Sequence, residues 1–560
     1  MSKYSKYIDL HSNTISAAIE AVTKRNFFAH WPEIPSGKIY GETAQAEGDA
    51  RFQSMLNSIF TFPHQSGTVS STVGEEQSPY GFPLGILYPR FDIENTIKQS
   101  LLAQKQWKTI SIIERASILV EVLERASKKF FDIAFATQHT TGQGYMMSFQ
   151  ASGPHAFDRA LESIAVGLKS LQSFCDSVQW VKPMGKFEVS VAKEFFCEPK
   201  GIGVVVGCST FPLWNSLPGM FANLITGNAT IAKTHPLATL PMAIFVHSAQ
   251  ETLVSLGIDP HIIQIIVDSK SQPITKELCS HKKVNIIDYT GSSAFGTVLE
   301  EIAAKNKKVI YTEKAGVNSV LIDSVISIDA VADNLAFSLS LYSGQMCTAP
   351  QNIFIPKDGI ETSEGKITFE SVVETIAEKV TNLAQHPKAG AGTLGALQNK
   401  ETLQRLKSAS DIKGKIILAS TPIEQPNFEK ANSHSPILIE LNQNDKEIYS
   451  KEWFGPITFF IPVDNCNKGL EIISNLIENE GALSTSLYTQ NPEVEKKAIE
   501  EIISAGSPLG INFVGPIWVN QSASFSDMHG SGASPAGNAT FSDLSFVSNR
   551  YNVIGVRKVS

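Results

Sequence analysis

One short, unbroken apolar run, residues 202–206, and four further strand-like stretches, 229–233, 262–267, 284–289 and 309–312, constrain this chain most. A strand that is apolar at every position has to be covered on both faces, unlike one that alternates. The stretches between them, 217–225, 240–256 and 293–304, read as helices. Strands alternating with helices imply βαβ units and a mainly parallel sheet. A second block of the same kind runs from residue 321 to about 517.

The flanks read differently. Residues 1–83 form an N-terminal extension: a helix over 12–24 capped at Asn13-Thr14, a turn-rich aromatic stretch over 30–42 expected at the surface, and a Ser/Thr/Gly-rich loop over 66–78. Residues 92–164 are helical in pattern, with an apolar stripe of Ile113, Ala116, Leu119, Val120 and Leu123. Residues 183–196 alternate as a hairpin, and 551–559 read as a strand. With 42% hydrophobic and 18% charged residues the 560-residue chain can bury a large core. A net charge of −8 excludes the basic surface that nucleic acid or an anionic membrane rewards. No apolar run is long enough to span a bilayer, and residues 1–13 lack the apolar core of a secretory signal. The six cysteines show no CxxC and the 12 histidines no HxxxH. Free thiols, no metal and a reducing, cytoplasmic setting are therefore expected.

The stretch most suited to chemistry is Ser343-Gly344-Gln345-Met346-Cys347-Thr348-Ala349-Pro350, between a helix-like and a strand-like run. A cysteine at such a junction can present both its sulfur and a backbone N–H to a carbonyl carbon. A free cysteine is more often buried and inert, so Cys347 needs support from elsewhere. Upstream, Thr290-Gly291-Ser292 joins a strand to a helix start, where unpaired N–H groups suit a phosphate.

Five signatures stand in order: strand–Thr210-Phe211-Pro212–helix–strand–Lys233, then Thr290-Gly291-Ser292, Glu313, Gly344-Gln345-Met346-Cys347, and Glu452-Trp453-Phe454-Gly455-Pro456. Together, with 34 residues from Glu313 to Cys347, they resemble the aldehyde dehydrogenase superfamily from about residue 89 onward. Trp31-Pro32-Glu33-Ile34-Pro35, Tyr40-Gly41-Glu42-Thr43 and Lys233-Thr234-His235-Pro236 further resemble the PaaN-type phenylacetic acid degradation proteins. The resemblance implies an α/β, aldehyde-dehydrogenase-like fold: two Rossmann-like α/β domains plus a small oligomerisation β-element. It divides the chain into the extension 1–83, an NAD(P)-binding domain of 84–182 and 198–316, a catalytic domain of 317–520, and an oligomerisation element of 183–197 and 535–560.

By the same resemblance Cys347 is the nucleophile and Glu313 the base that activates Cys347 or the deacylating water. Lys233 contacts the adenosine ribose, Thr290, Gly291 and Ser292 the pyrophosphate, and Glu452 with Phe454 the nicotinamide ribose. The implied substrate is a small aldehyde, a ring-opened semialdehyde CoA thioester in phenylacetate degradation. A CoA-acylating reaction and a non-catalytic scaffold are the alternatives, and a homodimer or homotetramer is expected. Two positions depart from the family. Thr210 stands where an oxyanion-binding asparagine is usual, with Asn215 just beyond. Pro236 stands where NAD-preferring relatives often carry a glutamate that repels a 2′-phosphate, which leans the cofactor to NADP over NAD.

Overall fold

The computed structural model describes residues 3–518 and 520–559; residue 560, the end of the expected oligomerisation segment, lies outside them. The five strand-like stretches form one parallel sheet in the order Val309–Glu313, Val284–Thr290, Ile202–Val206, Ala229–Lys233, Ile263–Ile266. Every residue of Ile202–Val206 and Ala229–Lys233 is buried, as full coverage on both faces requires. The strand order reverses at Ile202–Val206, whose neighbours are Val284–Thr290 on one side and Ala229–Lys233 on the other. Such a reversal opens a crevice beyond the carboxyl ends of the strands, where α/β sheets bind ligands.

A second sheet has seven strands in the order Lys415–Leu418, Ile437–Glu440, Ile457–Val463, Asn352–Pro356, Ser319–Ile322, Thr485–Tyr488, Leu509–Ile511. All pairs are parallel except the edge pair at Lys415–Leu418. The carboxyl end of Val309–Glu313 in the first sheet and the chain entering Asn352–Pro356 in the second lie across one cleft.

A third, antiparallel sheet has Phe187–Pro199 between Ser177–Met184 and Tyr551–Val559. The hairpin is longer than residues 183–196. Every residue of Ser177–Met184 is exposed, and Val178, Trp180, Phe196 and Ile554 present apolar side chains to solvent.

The extension departs from three expectations. Its helix spans Ser5–Lys24, so Asn13 and Thr14 are interior. The buried face continues through Tyr7 and His11, and a His11 ring nitrogen lies 2.8 Å from a Glu121 carboxylate oxygen; apolar spacing alone misses such residues. The 30–42 stretch is not all surface: Trp31 is 5% exposed, packed edge-on against Phe157. Within 66–78, Thr68–Val73 is a strand paired with Tyr88–Phe91, as its β-branched residues favour.

Candidate active site

The loop that carries Cys347 is bent by three consecutive left-handed residues. The helix Ile328–Ser340 ends, and Tyr342, Ser343 and Gly344 take φ of 51°, 49° and 62°. For the two non-glycine residues this conformation costs about 1–3 kcal/mol each. Tyr342 Oη donates to the Thr141 carbonyl (2.6 Å) and Ser343 Oγ to that of Leu394 (2.9 Å), which hold the bend. Gly344 is obligatory in space too, since a Cβ there would lie 2.4 Å from the Gly455 carbonyl oxygen. Beyond the bend, the Asn318 amide donates to the carbonyls of Cys347 (2.8 Å) and Ala349 (3.0 Å). Asn318 Oδ1 accepts from the N–H groups of Leu483 and Ser484, so one side chain fixes the Cys347 backbone to the second sheet.

Glu313 ends the edge strand of the first sheet and is 5% exposed. Its backbone carbonyl accepts from Gly291 N–H (3.0 Å), which ties the glycine turn to the acid. Asn215 Nδ2 donates to Glu313 Oε2 (3.0 Å), and His529 Nε2 lies 3.2 Å from Oε1. The same His529 nitrogen is 4.0 Å from Cys347 Sγ. Ligand atoms of Glu313, Cys347 and His529 all lie within 4.8 Å of one another. Burial, then the Glu313 carboxylate, push the Cys347 thiol well above its usual range. Burial also works to raise the Glu313 carboxyl, but His529, Cys347 and Asn215 more than offset it and hold it below the ordinary value.

Two cavities meet at this group. One, of about 530 Å³, lies at the strand-order reversal and is lined by all nine residues singled out from the sequence: Thr210, Lys233, Thr290, Gly291, Ser292, Glu313, Cys347, Glu452 and Phe454. The other, of about 320 Å³, is walled by aromatic and thioether side chains, among them Phe27, Phe28, Met147, Trp214, Met346 and Trp518. Among the described residues, Phe211, Asn215 and Cys347 line both. The extension thus contributes wall to the second cavity through Phe27, Phe28, Ala29 and Glu33.

Residues 88–545 match the model of the aldehyde dehydrogenase family. The chain belongs to that family. It is similar over 99% of its length, at 40% identity and a TM-score of 0.95, to 98% of an NAD-dependent aldehyde dehydrogenase from Burkholderia multivorans. It is 23% identical over 422 residues to a 1-pyrroline-5-carboxylate dehydrogenase from Staphylococcus aureus (strain MW2), covering 73% of this chain and 76% of the relative. It is also 23% identical over 448 residues to a D-glyceraldehyde dehydrogenase (NADP(+)) from Picrophilus torridus, covering 76% and 82%. The protein is an NAD(P)-dependent aldehyde dehydrogenase by family.

The first cavity of this aldehyde dehydrogenase has the donor set that a dinucleotide needs. Helix Ser293–Asn306 starts at this cavity beside Ser292, whose hydroxyl accepts from Phe295 N–H, and a helix start of this kind suits an anion. Gly291 is required sterically, because a Cβ there would meet the Tyr289 hydroxyl at 2.5 Å. Toward one end Lys233 is buried in an ion pair with Asp268 (2.7 Å). Elsewhere in the wall Glu452 opens onto the cavity, and confinement among its walls raises its carboxyl to about 7, the Arg405 guanidinium opposing.

Two residues of the aldehyde dehydrogenase site, Asp268 and His529, have no motif in the sequence, and of the two candidates for the oxyanion asparagine only one reaches Glu313. Thr210 lines the nucleotide-side cavity, and its carbonyl accepts from Gln143 (2.8 Å). It is Asn215, however, that lines both cavities and reaches Glu313 with its amide. Asp268 stands 35 residues after Lys233 on the neighbouring strand's exit, outside any short motif. His529 lies 182 residues beyond Cys347 at the start of the Gly/Ser-rich segment. That segment runs antiparallel beside Thr312–Lys314, with Lys314 N–H donating to the Ala536 carbonyl and Asn538 Oδ1 accepting from Thr312 N–H. A histidine leading a glycine-rich stretch was the available signal.

Proposed function

We propose that this protein oxidises an aldehyde with an apolar body to its carboxylic acid, using NAD, with Cys347 as the nucleophile. The reading rests chiefly on the position of Cys347 in the shared wall of two cavities, one polar and fitted to a dinucleotide, the other aromatic. In this mechanism the Cys347 thiolate bonds to the carbonyl carbon and the carbonyl electron pair moves onto oxygen. Asn215 Nδ2 and the Cys347 backbone N–H are the donors to that oxyanion. The nicotinamide that Glu452 and Phe454 would hold would supply the hydride acceptor, and loss of that hydride from the carbon bonded to Cys347 leaves a thioester. Glu313 then takes a proton from the attacking water, and the acid leaves as sulfur is released. Lys233, the turn Thr290-Gly291-Ser292, Glu452 and Phe454 hold the dinucleotide.

The cofactor choice follows from Asp268. Pro236 lacks the carboxylate that excludes a 2′-phosphate, which favoured NADP on sequence grounds. Asp268 brings a carboxylate to the same lysine from the next strand, so the anionic barrier is rebuilt and NAD is preferred.

The aromatic cavity carries Glu33, Asp158 and Asp527 in its wall beside His155 and His529, and among the described residues neither lysine nor arginine. An apolar chain or ring suits it, and an anionic substrate end does not. A ring-opened semialdehyde CoA thioester, implied by the PaaN-type resemblance, fits only with its acyl end inside and its phosphates beyond the mouth. The test is kcat/KM across apolar aldehydes, carboxylate-bearing semialdehydes and a semialdehyde CoA thioester, beside Cys347→Ala. Apolar aldehydes are expected to exceed small carboxylate-bearing ones by about 100-fold, a discrimination of about 3 kcal/mol. Equal or better turnover of the small carboxylate-bearing substrates refutes the substrate class. Undiminished activity of Cys347→Ala refutes the nucleophile.

A further inference from the structure

We propose that His529 is a catalytic residue of this enzyme, taking the thiol proton of Cys347 to form a thiolate–imidazolium pair that Glu313 holds in place. The inference rests on Cys347 being the nucleophile.

The geometry argues this in three steps. First, His529 is 5% exposed and its Nε2 faces both reacting partners, 4.0 Å from Cys347 Sγ and 3.2 Å from Glu313 Oε1. Second, Glu313 Oε1 is buried and receives no hydrogen bond, whereas Oε2 has Asn215. A buried carboxylate oxygen left in that state costs about 1–3 kcal/mol, and a cation beside it removes the penalty. An imidazolium at His529 is that cation. Third, loss of the Cys347 proton to solvent would place two anions side by side in a closed site. Transfer to His529 leaves the total charge of the three groups unchanged, so no new net charge is buried.

The surroundings hold the ring for this task. Trp214 meets it edge-on (centroids 4.6 Å) and Phe541 stacks on it (5.7 Å, 22°). Ser522 Oγ lies 3.5 Å from Nδ1, on the side away from Cys347. The other charged groups nearby are Arg159, whose guanidinium stands over Trp214 at 5.4 Å and is paired with Glu162, and Asp527, whose carboxylate accepts from Ala523 N–H. Both are already engaged, which leaves Glu313 as the carboxylate in contact with the imidazole.

The proton balance closes over the cycle. The S–H bond breaks and Nε2–H forms as sulfur attacks. When water cleaves the thioester, one of its protons goes to Glu313 and the imidazolium returns its own to the departing sulfur; Glu313 and the product acid then each lose a proton to solvent, which restores the starting state. Glu313, held ionised by its neighbours, is thereby free to act on water.

The test is the pH dependence of Cys347 alkylation by iodoacetamide, followed by mass spectrometry so that exposed Cys175 is scored separately. Wild type is compared with His529→Gln and His529→Asn, with NAD binding by fluorescence reporting the fold. The alkylation midpoint is expected to rise by about one unit or more in the variants, and kcat/KM at pH 7 to fall about 100-fold. NAD affinity is expected to stay within threefold. A midpoint that does not move in a variant that binds NAD overturns the proposal, whatever happens to activity. Should neither variant bind NAD, the wild-type profile decides: a midpoint above pH 9 overturns the ion pair, and one below pH 8 supports it. Activity surviving in Cys347→Ala would instead overturn the nucleophile assignment on which this rests.

Discussion

Asp268→Asn is the substitution that bears most directly on cofactor choice. Asp268 Oδ1 lies 2.7 Å from Lys233 Nζ, and both side chains are 3% exposed. Its other oxygen accepts from Ile274 N–H (3.0 Å), a bond the asparagine carbonyl can keep, so the local fold is retained. A 2′-phosphate reaching Lys233 would bring its charge to roughly 5 Å from the carboxylate. At an effective dielectric of about 20 that repulsion is ~3 kcal/mol per unit charge, and solvent in the open cavity takes it to about half. The substitution removes the repulsion and frees the lysine for the phosphate. The ratio of kcat/KM for NADP to that for NAD is expected to rise by about 10- to 100-fold. Steady-state assays with one aldehyde and both nucleotides, at matched ionic strength, measure it. A ratio that changes less than threefold, or moves toward NAD, shows that Asp268 does not face the adenosine ribose, and the preference for NAD loses its basis.

Three further outcomes are expected. Asn215→Ala should lower kcat by about 100-fold, the usual cost of one oxyanion donor, while Thr210→Val stays within about threefold; the reverse order in steady-state rates would return the role to Thr210. Glu452, with its carboxyl raised to about 7 by confinement, is charged above that pH and protonated below it. NAD affinity measured calorimetrically should therefore weaken about tenfold from pH 8 to pH 6, where about a tenth of the group remains ionised, and Glu452→Gln should flatten the profile. A flat wild-type profile removes Glu452 from the ribose site. Ile554 and Phe196 pair across the antiparallel sheet and are each 51% exposed, an apolar face suited to a second copy of the chain. Sedimentation should show a dimer or tetramer for wild type and monomer for Ile554→Asp; a wild-type monomer at micromolar concentration contradicts the assembly.

Much of the fold was legible because strands buried on both faces are mostly apolar, as Ile202–Val206 is throughout, and alternate with helix-like stretches. The five strands of the first sheet and the helix Leu217–Ile225 stand where those stretches and their spacing put them. Where burial depends on polar partners the pattern failed. The first helix begins at Ser5 because His11 satisfies itself against Glu121, and Trp31 is buried although its neighbours are turn formers. The same division runs through the site.

The sequence by itself set Lys233, the Thr290-Gly291-Ser292 turn, Glu313 and Cys347 in an order and spacing that resemble the aldehyde dehydrogenases, because each lies in a short motif, and all of them line one cavity. Tertiary structure alone decided the company those residues keep. His529 reaches Cys347 only because the Gly530–Gly537 stretch is laid antiparallel along Glu313. Asp268 reaches Lys233 only because their two strands are neighbours in the sheet. Asn215, not Thr210, meets Glu313 because of the turn between Phe211 and the helix Leu217–Ile225. Such contacts are set by how strands stack and segments cross, over separations at which one chain carries no local record of its neighbour.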